Sequence, residues 1–175
     1  MGCHDDQVLC GVYSFAVFDN KNVTSQLIKL YKYGFVMGAG QLLYNLILQN
    51  VSEKSFSCVS FEALTVLPLH KKRFAYRGFN QSEILADALS TALGIPKISL
   101  MQRTRHTRQQ AQLSRADRIE NVKDAFGVEN EGVAGRTIAL VDDVFTSGAT
   151  LQQAAKALRE SGAASVYGIT VAHGK

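Results

Sequence analysis

The chain of 175 residues is poor in cysteine, with three, and it lacks a long apolar run. An odd number of cysteines does not indicate the disulfide framework of a secreted domain, so we expect a reducing, cytoplasmic setting. The most apolar stretch, residues 36–48, is interrupted by Gln41 and Asn45 and is too short to span a bilayer, so we expect no membrane span. The first residues are polar and acidic at Asp5 and Asp6, which is unlike a signal peptide.

The sequence also lacks low-complexity linkers and internal repeats, and its content of charged residues is modest. Hydrophobic residues make up 46% of the chain and charged residues 19%, a balance that excludes an intrinsically disordered class. A chain of this length can bury a substantial core without disulfides. The net charge of +4 is local, because residues 71–118 hold ten Lys or Arg and three acidic residues. Such an excess suits a polyanionic ligand, and it would also suit nucleic acid.

Strand and helix patterns alternate along the chain. Strands are predicted at 11–18, 63–67, 97–101, 125–129, 137–141 and 165–171, and helices at 23–33, 37–50, 80–93 and 147–161. This alternation predicts an α/β fold with a mostly parallel, twisted sheet and helices on both faces. Ligands usually bind such sheets at the carboxyl ends of the strands.

The most informative stretch is residues 138–150. Its apolar run predicts a buried strand, Asp142 and Asp143 follow, and the turn Thr-Ser-Gly-Ala-Thr leads into a helical pattern. Free backbone N–H groups and the helix dipole favour an anion at such a turn. Carboxylates that face solvent at the strand end can accept hydrogen bonds from hydroxyls. The stretch therefore indicates a site for a phosphorylated sugar; the alternative is an ordinary strand, turn and helix with capping residues.

This stretch resembles the PRPP-binding motif of type I phosphoribosyltransferases, where PRPP is 5-phosphoribosyl-1-pyrophosphate. The resemblance implies that Asp142 and Asp143 are the catalytic acidic pair and hold the ribose 2- and 3-hydroxyls. It also implies Mg²⁺ as a cofactor, held mainly by pyrophosphate, hydroxyls and water, with no set of protein metal ligands. The implied 5-phosphate loop consists of Thr146, Ser147, Gly148, Ala149 and Thr150.

A second block, residues 67–82, reads Leu-Pro-Leu-His-Lys-Lys-Arg-Phe-Ala-Tyr-Arg-Gly-Phe-Asn-Gln-Ser. We predict a basic loop after a strand, where cations and free N–H groups stabilise a departing pyrophosphate. The candidate pyrophosphate-binding residues are Lys71, Arg73 and Arg77. Gly78 permits a backbone turn, and Asn80 is a suitable cap for the helix that follows. The alternative is a solvated basic loop without a ligand.

A third block, residues 102–118, is polar and basic, with Asp117 as its only acidic residue. In phosphoribosyltransferases a flexible loop near this place in the chain closes over the site and excludes water from the reacting ribose. The candidate loop residues are Arg103, Arg105, Gln109 and Arg115. The alternative is a solvent-exposed helix face or loop.

Together the three blocks resemble the ComF family, also known as GntX-like amidophosphoribosyltransferases, over residues 11–175. The resemblance implies one phosphoribosyltransferase domain over 1–175, with an N-terminal strand-and-helix hood at 1–60 and a core at 61–175. It implies substitution at C1 of the ribose of PRPP, with loss of pyrophosphate, and a link to DNA uptake. Two alternatives stay open: a noncatalytic competence factor that binds PRPP or single-stranded DNA, and a salvage enzyme for a purine or pyrimidine base.

ComF-type proteins usually begin with a zinc module that contains two Cys-x-x-Cys pairs, and this sequence has none. Cys3, His4, Cys10 and Cys58 have a spacing that is only weakly suggestive of zinc, so we predict no zinc site. The missing module weakens the expected link to competence. The partners expected from the resemblance are PRPP and single-stranded DNA or the competence machinery, with a dimer among the oligomeric states left open.

Overall fold

The computed structural model describes residues 8–18, 23–34, 36–53, 59–105, 115–129 and 132–174. Strands and helices alternate along them as predicted. The strands are β1 (Gly11–Phe18), β2 (Ala63–Val66), β3 (Met101–Arg103), β4 (Phe126–Val128), β5 (Thr137–Phe145) and β6 (Ser165–Gly174). The helices are α1 (Val23–Tyr33), α2 (Met37–Glu53), α3 (Lys71–Arg77), α4 (Gln81–Leu93), α5 (Arg115–Val122) and α6 (Ala149–Glu160).

Four strands form a parallel sheet in the order β1-β6-β5-β2, while β3 and β4 form a separate antiparallel pair. β5 therefore lies inside the sheet, between β6 and β2. β1, the strand of the predicted hood, pairs with β6 and forms one edge of the same sheet. The predicted fold class, a parallel sheet with helices in an α/β arrangement, is confirmed.

Side chains of β5 alternate between two apolar clusters. Ala139 and Val141 are buried with residues of α1, α2 and α4. Ile138 and Leu140 are buried with residues of α6 and of the β3–β4 pair. Because successive side chains of a strand point to opposite faces, this alternation covers both faces of the sheet. It also explains why β5 reads as a continuous apolar run in the sequence.

Three predicted elements differ most from the structure. The predicted basic loop contains helix α3. His70 caps the start of this helix by accepting a hydrogen bond from the Lys72 amide, and the helix ends at Gly78, which has a left-handed conformation. The strand predicted at 97–101 is wrong, because only Lys97 bridges the main sheet and β3 belongs to the antiparallel pair. β5 continues four residues beyond the predicted end at 141, since its pairing with β6 extends to Phe145.

Most helix boundaries agree with the sequence. α1 has the predicted bounds, and α2 ends three residues beyond the predicted 50. Asn80 caps α4 by accepting a hydrogen bond from the Ser82 amide, and left-handed Gly94 ends that helix. Among the described residues, no helix is both long enough and apolar enough to cross a membrane. Cys3, His4 and Cys58 lie outside the described residues.

Candidate functional site

A cavity of about 510 Å³ opens where β2 and β5 end. Its walls come from α1, the segment after β2 with α3, the start of α4, β3, and the segment that joins β5 to α6. The lining residues are Lys32, Leu67, Pro68, Leu69, Arg73, Tyr76, Arg77, Asn80, Gln81, Ser82, Arg103, Asp142, Asp143, Val144, Phe145, Thr146, Ser147, Gly148, Thr150 and Leu151. The location follows the rule that parallel sheets bind ligands at the carboxyl ends of their strands.

Most of the sequence-predicted site residues meet in this cavity. Those that line it are Asp142, Asp143, Thr146, Ser147, Gly148, Thr150, Arg73, Arg77 and Arg103. Lys71 and Arg105 are exposed and Ala149 is buried, and none of the three lines the cavity. Gln109 and the side chain of Arg115 lie outside the described residues. The structure thus brings residues from all three sequence blocks to one place.

The acidic pair is held by three polar contacts. Ser82 Oγ donates to Asp142 Oδ1 at 3.3 Å, and the Asp143 amide donates to the same oxygen at 2.8 Å. Lys32 Nζ lies 2.6 Å from Asp143 Oδ2, and the two side chains are only 17% and 16% exposed. The expectation that both carboxylates face solvent at a strand end is therefore wrong. They lie within β5 because its pairing with β6 continues past them.

Burial raises the pKa of the Asp142 carboxyl from its usual 3.8 to about 7, and the charge of Asp143 adds to the rise. The Lys32 ammonium and the hydrogen bonds from the Asp143 amide and Ser82 act in the opposite direction. Two neighbouring carboxylates in a poorly solvated place disfavour a second negative charge. At neutral pH the Asp142 carboxyl is therefore partly protonated.

We expect the free energy of unfolding to fall as the pH rises from about 4 to about 7. In that window the folded protein holds the Asp142 proton and the unfolded chain does not, so lower pH favours the folded state. The slope for one proton is at most about 1.4 kcal/mol per pH unit. Urea unfolding at four pH values should show this slope in wild type and a flatter curve in Asp142→Asn. Equal slopes in the two proteins would contradict the assignment.

The segment that joins β5 to α6 ends at Gly148, which occupies the N-cap position of α6 with φ of 74°. No side chain caps this helix, and the dipole at a helix N-terminus favours a bound anion. A Cβ atom at Gly148 would lie 2.9 Å from the Phe145 ring. The left-handed backbone thus favours glycine here, and the Phe145 ring would have to shift to admit any larger residue, before any ligand is considered.

The start of α4 forms the opposite wall. The Asn80 side chain accepts from the Ser82 amide and donates to the Leu67 carbonyl at 3.0 Å, so it joins the end of β2 to the helix. Arg77 Nη1 donates to Gln81 Oε1 at 3.0 Å. Gln81 Nε2 is buried and has no hydrogen-bond partner within the part of the chain that the structure describes. The Arg-Gly-Phe-Asn-Gln sequence therefore builds a wall of the cavity.

Arg103 is the most buried cation of the cavity. Its guanidinium lies 5.1 Å from the centre of the Phe126 ring, across the β3–β4 pair. Burial, with a smaller contribution from the charge of Arg73, lowers its pKa to about 10, and Asp142 acts in the opposite direction. The guanidinium stays charged at neutral pH. Two cations held close together without full solvation favour a bound anion.

Arg105 has a different place from Arg103, although the sequence predicted both as loop residues. Arg105 is exposed and donates through Nη2 to main-chain carbonyls at the end of α5, which are those of Glu120, Asn121 and Lys123. A cation there satisfies carbonyls that the helix leaves without partners. Arg105 therefore ties β3 to the end of α5.

We expect Arg105→Ala to lower the free energy of unfolding by about 0.5–1 kcal/mol, because it removes a helix C-terminal contact. Ligand affinity should stay within about twofold of wild type. Arg103→Ala serves as the comparison and should weaken binding of phosphorylated ligands. Chemical unfolding and calorimetric titration of the two variants measure both effects. A loss of affinity in Arg105→Ala equal to that in Arg103→Ala would contradict this division.

Among the polar side chains that line the cavity, four were not singled out by sequence reasoning: Lys32, Tyr76, Gln81 and Ser82. Gln81 and Ser82 belong to the Arg-Gly-Phe-Asn-Gln-Ser block, so their position in that block was a usable signal. No such signal existed for Lys32, because this residue lies on α1, far from every motif in the sequence. Only the packing of α1 brings it to Asp143.

The comparisons with known proteins define the class. A model of the phosphoribosyl transferase domain matches residues 79–175, which is more than half of the chain. The chain therefore belongs to the phosphoribosyltransferase domain family. The matched part contains Asp142, Asp143 and the turn that follows β5.

Similar proteins identify the branch of that family. The chain is 41% identical to Competence protein F of Haemophilus influenzae over 104 residues, which cover 58% of this chain and 45% of that protein. It is 41% identical to DNA utilization protein YhgH of Escherichia coli over 106 residues, which cover 60% of this chain and 46% of that protein. The chain is thus ComF-type and phosphoribosyltransferase-like, and it spans about half the length of the curated relatives it matches.

A solved structure agrees with this fold. The glutamine PRPP amidotransferase from B. subtilis, complexed with ADP and GMP, is similar to this chain with a TM-score of 0.51 and 23% identity. The similarity covers 75% of this chain and 26% of that one. At this identity the likeness shows the fold alone.

Proposed function

We propose that this protein binds PRPP with Mg²⁺ and transfers its phosphoribosyl group to an acceptor, with loss of pyrophosphate. One observation carries the proposal: a single cavity joins the acidic pair, the uncapped start of α6 and three arginines. These three features match the hydroxyls, the 5-phosphate and the pyrophosphate of PRPP. The same arrangement would be unusual for a site that binds an uncharged ligand.

In this proposal each wall of the cavity binds a different group of PRPP. Asp142 and Asp143 accept hydrogen bonds from the ribose hydroxyls, and Ser82 orients Asp142. The turn Thr146–Thr150 holds the 5-phosphate through its backbone N–H groups. Arg73, Arg77 and Arg103 hold the pyrophosphate. The bond between C1 and the pyrophosphate oxygen breaks, and the pyrophosphate leaves with the electron pair while the acceptor forms a new bond to C1. The positive charge of the arginines stabilises the departing pyrophosphate.

The residues present fit a ligand-borne Mg²⁺ rather than a protein cage. No group of three His, Cys, Asp or Glu suited to a metal occurs within the described ranges. Mg²⁺ prefers oxygen ligands and commonly keeps its waters while it binds one or two carboxylates and the phosphates of a substrate. The acidic pair supplies the carboxylates of such a site. When bound, the ion would neutralise charge on the pyrophosphate.

The decisive test is calorimetric titration with PRPP in the presence and absence of MgCl₂, with ribose 5-phosphate and inorganic pyrophosphate as partial ligands. We expect PRPP with Mg²⁺ to bind more tightly than either fragment. A protein that remains folded and shows no heat with any of the three at millimolar concentration would overturn the proposal. Pyrophosphate release would then be measured with PRPP and a panel of purines, pyrimidines and amines. Release with a base indicates salvage, and binding without release indicates a noncatalytic factor.

A second candidate function, binding of single-stranded DNA, is favoured by the surface of α3. Phe74 is 51% exposed and Tyr76 is 78% exposed, and Lys71 and Lys72 are exposed beside them. Exposed aromatic rings among cations form a platform on which bases stack. Two relatives are named for competence or DNA utilization, which agrees with this candidate. A cytoplasmic setting with the competence machinery as partner remains part of the same proposal.

Phe74 separates the two candidates because it lies outside the cavity. If DNA binds α3, Phe74→Ala should weaken a labelled oligonucleotide by about tenfold and leave PRPP affinity unchanged. Leu42→Ala, at an exposed apolar position of α2, is the matched control. Fluorescence anisotropy in 50 and 200 mM salt measures the effect. Equal oligonucleotide affinities of the two variants would remove α3 as the DNA surface.

A further inference from the structure

Among the described residues that line the cavity, Lys32 is the one cation that comes from the N-terminal helices. It lies in the last turn of α1, and its Nζ is 2.6 Å from Asp143 Oδ2. Both side chains are more than four-fifths buried. An ion pair so far withdrawn from water holds its geometry better than a surface pair. Asp143 therefore carries a cation in the ligand-free protein.

The packing of α1 keeps Lys32 in this place. The neighbouring Tyr31 is 6% exposed, and its ring centre lies 4.6 Å from that of Phe79, which follows the Arg-Gly turn. A Cβ atom at Gly40 would lie 2.8 Å from the Tyr31 ring and 3.0 Å from the Ile84 side chain. α1, α2 and α4 thus contact one another closely, and the backbone of Lys32 cannot shift freely.

The Lys32 ammonium group lies beside Asp143 Oδ2, where a divalent metal ion would otherwise bind. A lysine head is a compact, strongly hydrated point charge, as is a small metal ion. Positive charge at Asp143 Oδ2 repels a divalent ion in solution from the whole acidic pair, because the local dielectric is low. A metal that arrives on a polyphosphate brings compensating negative charge and meets less repulsion.

We propose that the ion pair with Lys32 excludes free divalent metal ions from Asp143. A metal ion then enters the cavity only together with a phosphorylated ligand. The identity of that ligand rests on the proposed function, but the exclusion of free metal does not. Lys32 acts as a positioning residue: it touches Asp143 rather than the reacting atoms, and it keeps the carboxylate oriented until the ligand arrives.

The test measures binding of Mn²⁺ alone, by isothermal titration and by the electron paramagnetic resonance of free Mn²⁺. Lys32→Met should bind one Mn²⁺ ion with an affinity at least about tenfold higher than that of wild type, because the substitution removes a full positive charge near the carboxylates. Lys32→Gln provides a second, polar replacement. Lys32→Arg keeps the charge and should behave as wild type. Lys29→Met is the matched control, on the exposed side of the same helix.

The double variant Lys32→Met with Asp143→Asn locates the metal. It should lose the gained Mn²⁺ affinity, because the carboxylate that Lys32 covered is gone. Wild-type affinity in both Lys32→Met and Lys32→Gln would overturn the inference, and so would a gain that survives Asp143→Asn. Titration of wild type with PRPP and Mg²⁺ is read separately: failure there removes the proposed function and leaves the Mn²⁺ result standing.

Discussion

Asparagine at both Asp142 and Asp143 is expected to weaken PRPP binding by at least about a hundredfold. Each carboxylate would lose charge-assisted hydrogen bonds to a ribose hydroxyl, worth about 1.5–3 kcal/mol apiece. Asparagine keeps the shape and one acceptor oxygen, so the cavity should not collapse. Calorimetric titration with PRPP and Mg²⁺ measures the loss. Asp87→Asn, which changes an exposed carboxylate outside the cavity, is the control.

The two single variants should differ in stability. Asp142→Asn removes a carboxyl whose raised pKa shows that its charge is unfavourable there, so stability at pH 8 should rise or stay the same. Asp143→Asn leaves the Lys32 ammonium poorly solvated without its counterion, so stability should fall. Unchanged PRPP affinity in the double variant would refute the ribose assignment, whatever the melting temperatures.

Alanine at Gly148 is expected to be far more destabilising than alanine at Gly78, although both glycines have nearly the same backbone conformation. Their φ angles are 74° and 77°. Around Gly78 nothing lies within 4 Å of an added Cβ, so Gly78→Ala should cost only the left-handed conformation, about 1–2 kcal/mol. At Gly148 the added Cβ also meets the Phe145 ring at 2.9 Å. The sum should be about 2–4 kcal/mol.

Urea unfolding of the two variants measures this difference directly. Adding Phe145→Leu to Gly148→Ala should recover the part of the loss that comes from the ring, and should recover nothing in Gly78→Ala. Gly148→Ala should also weaken phosphate binding, because the start of α6 must move. Equal unfolding energies for Gly78→Ala and Gly148→Ala would show that Phe145 yields freely and that the close contact is unimportant.

The glycine comparison shows what a turn pattern leaves open. The sequence predicted Gly148 in a turn before a helix, and the structure has it at the N-cap of α6. Its place in the 5-phosphate loop stays a prediction, and the Phe145 ring beside its Cβ position is a further reason for glycine there. A turn pattern records the backbone conformation but does not tell which neighbour demands it.

Local rules also failed where a partner strand or helix decided the outcome. Residues 71–77 are charged and were predicted as a loop, yet a His70 cap and the left-handed Gly78 enclose one short helix. The predicted end of β5 at 141 rested on polarity, whereas pairing with β6 carries the strand through both aspartates to Phe145. Strand length depends on the neighbouring strand, which no single segment of sequence contains.

The sequence by itself determined the fold class, the strand–turn–helix around Asp142 and Asp143, and the clustering of cations in the second and third blocks. Those properties depend on apolar periodicity and on residues that are close in the chain. Only the tertiary structure decided that Arg103 lines the cavity while Arg105 ties down α5, and that Lys32 reaches Asp143. Such contacts join segments that are distant in sequence, so they depend on how the helices pack on the sheet.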